Sequence, residues 1–140
     1  MILISLMEGL VSLEHQTFGR HLIVDAWGID FDKINDLRLL KYHLERAATI
    51  CGATVLSVKG HAFEPFGVTV IVVLSESHLS IHTYPEKGFA AIDGYTCGNI
   101  IDPKDAIDYI LTILEPKKVY AKKVIRGIRE PIIQYVYDDC

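Results

Sequence analysis

The chain is poor in cysteine, and the cysteines it has follow no pairing pattern. Cys51, Cys97 and Cys140 are odd in number and form no Cys-x-x-Cys, so neither a disulfide framework nor a zinc knuckle is expected. A reducing, cytoplasmic setting follows. A basic excess is also missing: 14 Lys and Arg stand against 18 Asp and Glu, a net charge of −4. That leaves no electrostatic footprint for a nucleic-acid partner. The first twelve residues are rich in Ile, Leu, Met and Val, yet they lack a basic start, are interrupted by Glu8 and are too short to span a bilayer. No membrane partner and no targeting signal are expected. Met1 to Gln16 reads as an extension ahead of the domain proper, an added element or the product of an upstream start.

Repeats, low-complexity tracts and linkers are absent too, so residues 1–140 read as a single domain. A chain of this size buries roughly two thirds of its unfolded surface, enough for a core without staples. Arg20 to Trp27 alternates and is β-rich, a first strand. Asp32 to Cys51 places Leu37, Leu40, Leu44, Ala47, Ala48 and Cys51 at helical spacing, with Gly52 as the stop. Residues 54–59, 68–74, 78–84 and 89–95 are strand candidates, the second apolar enough to be central. Asp102 caps and Pro103 starts a second helix whose inner face is Ile107, Ile110, Leu111 and Leu114. Residues 118–125 read as a last strand, and the tail to Cys140 has no clear pattern. Two helices separated by strands predict an α+β fold, a two-layer sandwich of an antiparallel sheet with two helices on one face.

Taken residue by residue, the chemistry is muted. Glu76-Ser77-His78 is a polar strand end. Cys97 by itself is a small buried hydrophobe, Phe63 a core aromatic, and Glu86, after Pro85, a solvated carboxylate at a turn. His21 and His61 read as strand-end or satisfied core histidines. His78 and His82 stand i and i+4 on a strand, roughly 13 Å apart, too far to share an ion, so no metal is expected.

Taken together, the residues say more. Leu74 to Glu86 runs Leu-Ser-Glu-Ser-His-Leu-Ser-Ile-His-Thr-Tyr-Pro-Glu, followed by Ala-Ile-Asp-Gly-Tyr-Thr-Cys-Gly ending at Gly98. Phe-Gly-Arg-His lies near residue 20, Gly-Val-Thr at 67–69 and Ile-Asp-Pro at 101–103. Over most of its length the chain resembles the S-adenosylmethionine decarboxylase proenzymes, in their small bacterial and archaeal form. The resemblance implies autocatalytic cleavage between Glu76 and Ser77 into a β chain, 1–76, and an α chain, 77–140. Ser77 attacks the Glu76 carbonyl, the amide becomes an ester, a base removes the Ser77 Cα proton, loss of the ester carboxylate leaves a dehydroalanine, and its hydrolysis by water releases ammonia and leaves a pyruvoyl group. That covalent cofactor would condense with the substrate amine as a Schiff base.

By resemblance His82 is the processing base, Thr69 stands where relatives carry a supporting serine, and Cys97 is the proton donor, a thiol being for the most part protonated at neutral pH. Glu86 matches the residue that holds the ribose hydroxyls, and Phe63 the one that stacks on adenine. The implied partner is a second copy, a homodimer whose active sites draw on both chains, and the implied product is the aminopropyl donor of polyamine synthesis. A pyruvoyl-dependent arginine decarboxylase of the same fold, or an uncleaved regulatory subunit, are the alternatives. One geometric condition attaches: Ser77 and His82 are five residues apart, so His82 can serve Ser77 within one strand only if a bend or bulge lies between them.

Overall fold

The computed structural model describes residues 17–98 and 100–137. The expected N-terminal extension and Cys140 lie outside them. Seven strands form one antiparallel sheet: β1 Gly19–Trp27, β2 Val55–Ala62, β3 Val68–Leu74, β4 Ser77–Tyr84, β5 Phe89–Cys97, β6 Lys118–Arg126 and β7 Ile132–Tyr137. Their order across the sheet is β2-β3-β4-β5-β1-β6-β7. β7, of six residues, lies in the tail that the sequence pattern left unassigned.

Helices cover one face. α1 is Phe31–Ile34, α2 Leu37–Ile50 and α3 Pro103–Leu114. The single helix expected over 32–51 is two. Asn35 turns its side chain away, accepting from the Gly67 N–H at 3.0 Å, and Asp36 caps α2 by accepting from the Leu39 N–H at 3.0 Å. Asp102 caps α3 as expected, accepting from Lys104 N–H at 2.9 Å. Caps of this kind each stabilise a helix by about 1 kcal/mol.

Side chains alternate across the strands, so one face of each packs under the helices. Val68, Val70, Val72 and Leu74 of β3 and Leu79 and Ile81 of β4 meet Leu40, Leu44, Ile107 and Ile110 of the helices in one buried core. Gly94 of β5 lets α3 close in, since a Cβ there would stand 2.9 Å from Pro103 Cβ. Among the described residues the opposite face carries no helix, and it exposes Ile23, Trp27, Ile71, Val73, Tyr84 and Tyr120. No helix among the described residues is long and apolar enough to cross a membrane.

Candidate active site

Leu74 and Ser77 are registered partners at the tip of the β3–β4 hairpin, so Ser75 and Glu76 make the turn. Ser77 leaves that turn with φ 140°. A residue with a Cβ pays about 1–3 kcal/mol in such a conformation and keeps it only where its surroundings hold it. The surroundings do so on both sides. Glu76 O accepts from the Cys97 N–H at 2.9 Å, and Glu76 Oε1 accepts from the Thr54 N–H at 2.8 Å. Beyond Ser77, His78 Nε2 lies 2.8 Å from Asp93 Oδ2. The carbonyl of the Glu76–Ser77 bond therefore already has one preorganised donor of the kind that stabilises a developing oxyanion. The β4–β5 register pairs Ser77 with Thr96, which brings Glu76, Ser77 and the exposed Cys97 to one end of the sheet.

His82 is elsewhere. β4 pairs residue for residue with β3 from Leu74↔Ser77 to Thr69↔His82, and with β5 from Ser77↔Thr96 to Tyr84↔Phe89, without a register shift. The bend or bulge expected between Ser77 and His82 is absent. Continuous pairing on both sides keeps β4 straight, so five residues amount to roughly 16 Å and the two positions have opposite strand parity. His82 is exposed on the helix-free face, where its Nδ1 is 3.1 Å from Thr69 Oγ1. With Nδ1–H donating to the hydroxyl, Nε2 is left as the free acceptor, the arrangement a base needs.

Phe63 and Glu86 join this second group. Phe63 follows the end of β2, half exposed, with its ring 4.6 Å from that of His61. Glu86 is exposed in the short 3₁₀ turn Pro85–Lys87 after β4. The end of β4, just before that turn, is roughly 23 Å from Ser77 at 3.3 Å per residue. The site residues expected from the sequence thus fall into two groups at opposite ends of β4.

The sequence reading missed a third group. Asp93, on the helix-free face of β5, accepts at Oδ2 from His21 Nε2 at 2.7 Å and from His78 Nε2 at 2.8 Å, and at Oδ1 from Ser80. Arg126 Nη1 is 3.3 Å from His21 Nδ1, and its guanidinium lies 4.8 Å from the Tyr95 ring centre. A carboxylate in the middle of an apolar strand was the available signal. The ligand atoms of His21, His78 and Asp93 lie within 4.8 Å of one another, a spacing that invites a cation. The hydrogen bonding argues for a different role. Arg126 can only donate, so His21 Nδ1 accepts and the ring proton sits on Nε2, aimed at Asp93. A metal on Nε2 would require the proton on Nδ1, facing a guanidinium.

A seven-stranded antiparallel sheet with helices packed on one face defines a two-layer α+β protein, and at one end of that sheet a strained serine follows a carbonyl held by a backbone N–H. A sequence model of the S-adenosylmethionine decarboxylase family matches residues 20–127. A Brevibacillus brevis protein named S-adenosylmethionine decarboxylase proenzyme is 59% identical over 118 residues, 84% of this chain and 89% of its own. One of that name from Methanococcus maripaludis is 44% identical over 110 residues, 79% and 90% of the two chains. The crystal structure of the adenosylmethionine decarboxylase of Aquifex aeolicus superposes with a TM-score of 0.76 at 41% identity, over 82% of this chain and 95% of that one. The chain belongs to the S-adenosylmethionine decarboxylase family.

Proposed function

We propose that the chain cleaves itself between Glu76 and Ser77 and, with the pyruvoyl group so formed, decarboxylates S-adenosylmethionine. The observation that carries this reading is the Glu76 carbonyl on the Cys97 N–H beside a serine held at φ 140°. Those residues fit the group, because Ser77 supplies its three carbons and the polarised carbonyl is the one its hydroxyl must attack. As the hydroxyl adds, charge grows on Glu76 O, where the Cys97 N–H already points. The products are residues 1–76 and 77–140.

The later step needs a base at the Ser77 Cα, within about 3 Å in heavy-atom terms. His82 of the same strand is far outside that reach. We therefore assign the role to a second copy, in a homodimer whose helix-free faces meet. Among the described residues no helix covers that face, and it exposes a set of large apolar side chains, Ile23, Trp27, Ile71, Val73, Tyr84 and Tyr120, as expected of a surface awaiting another layer. An isologous pairing lays the hairpin end of one sheet over the opposite end of the other. The partner's His82, oriented by the partner's Thr69, then meets Ser77, and the partner's Phe63 and Glu86 complete the pocket beside Cys97.

Bound in place, the pyruvoyl group supplies the electron sink for an α-amino acid. The chain does the rest: Glu86 accepts from the ribose hydroxyls, Phe63 stacks on the adenine and faces the sulfonium charge, and the Cys97 thiol delivers a proton to the substrate carbon. Carboxyl-labelled S-adenosylmethionine and arginine, offered in parallel, test the substrate. Labelled carbon dioxide is expected from the first alone, and release from arginine would overturn the assignment. A chain that stays whole after long incubation would overturn the chemistry itself.

A further inference from the structure

Next to the bond that breaks lies a network that the chemistry above does not use. Asp93 Oδ2 takes the Nε2 protons of His21 and His78, and Oδ1 takes the Ser80 hydroxyl. One carboxylate so ties β4 to β5 and β1, and Arg126, through His21 Nδ1, extends the tie to β6. Asp93 keeps 26% of its side-chain exposure and His21 18%. Burial alone would push the Asp93 pKa up, but the hydrogen bonds from His21, Ser80 and His78, with the charge of His78, hold it well below the usual carboxylate range. The acceptor is thus ionised throughout the physiological range.

The address of this network matters more than its strength. His78 is bonded directly to Ser77, whose φ of 140° must be held from outside. Upstream the holds are backbone amides, those of Cys97 and Thr54 on Glu76. Downstream, the hydrogen bond of the His78 ring to Asp93 is the nearest side-chain anchor among the described residues.

We infer that Asp93 is a positioning residue for self-cleavage: by gripping the His78 ring it keeps the Ser77 backbone in the conformation that sets its hydroxyl against the Glu76 carbonyl. The inference rests on the self-cleavage proposed above and names a residue that governs its first step. Asp93 itself moves no proton. An asparagine keeps the shape and an acceptor oxygen, whereas an alanine lets the ring go. Misplacing a reacting group by an ångström or so slows a step roughly ten- to hundred-fold.

The test follows cleavage of the full chain by intact mass, with circular dichroism and thermal melting as controls. Asp93→Ala is expected to cleave roughly ten- to hundred-fold more slowly while remaining folded, and Asp93→Asn to recover much of the rate. Hydroxylamine should release no fragment from Asp93→Ala, because the step that stalls is the attack, before any ester exists. Asp93→Ala in a His78→Ala background should slow cleavage no further, since the carboxylate acts through that ring. If Asp93→Ala does not fold, His78→Ala breaks the same bond from the other end and its rate decides. Cleavage at the wild-type rate in these variants, or an ester trapped in Asp93→Ala, overturns the role of Asp93 alone. A wild-type chain that never cleaves overturns self-cleavage, and this inference with it.

Discussion

Two variants that cannot process alone should process together. Ser77→Ala has no hydroxyl to attack with but keeps the Thr69–His82 pair, whereas His82→Ala keeps Ser77 and loses the base. Within one copy, five residues of unbroken β4 at 3.3 Å each put roughly 16 Å between Ser77 and His82. Proton abstraction needs about 3 Å. The shortfall, some four times the working distance, exceeds anything a side-chain rotation can supply, so rescue must come from the second copy. Co-expressed in equal amounts with tags of different mass, random pairing gives about half mixed dimers. In each of these, Ser77 of the His82→Ala chain faces an intact His82. About half of the His82→Ala chains should therefore be cut into 1–76 and 77–140 on the statistics of an isologous dimer, while every Ser77→Ala chain stays whole. Intact mass spectrometry reads both populations in one sample. No fragment in the mixture, or normal cutting of His82→Ala on its own, would refute the reasoning.

Three further outcomes are expected. Glu86→Gln should lower kcat/KM for S-adenosylmethionine by the loss of a charge-assisted hydrogen bond, roughly 1.5–3 kcal/mol, with self-cleavage unchanged; an unaltered kcat/KM removes Glu86 from the ribose. Cys97→Ala keeps the backbone N–H on Glu76 and so should still cleave, but during turnover its proton goes astray to the cofactor carbon. The shorter chain would then begin with alanine, which N-terminal sequencing detects, and a rate near wild type with the blocked terminus intact would make Cys97 a packing residue. Thr83→Val, made in the uncleaved Ser77→Ala chain, should lose stability. The Thr83 hydroxyl accepts from the Val68 N–H at 2.9 Å and donates to Ile34 O at 2.6 Å, and the buried amide left without a partner costs about 1–3 kcal/mol. A urea midpoint that does not fall would contradict it.

The sequence by itself determined the layers and the peptide bond to watch. Alternation in β1 marks a strand with one buried face, because a period of two is all a half-covered sheet requires, and the apolar run at 68–74 marks an interior strand. Asp102 before Pro103 marks the start of α3, because the cap and the ring each suit a helix N-terminus and little else. Glu76, Ser77 and Cys97 were legible as one group only through the family resemblance, and the β4–β5 register is what brings them together. Other features depended on contacts distant in sequence. The apolar period runs unbroken through 32–51, and the helix divides there because Asn35 reaches Gly67 on another segment. His21, Asp93 and Arg126 are far apart in the chain and meet because β1 lies between β5 and β6. The distance from Ser77 to His82 was likewise a tertiary decision. Local spacing allowed a bulge that would have joined them, and pairing with both β3 and β5 from Ser77 to His82 denied it, since a strand hydrogen-bonded in register on both sides has no freedom left to bend.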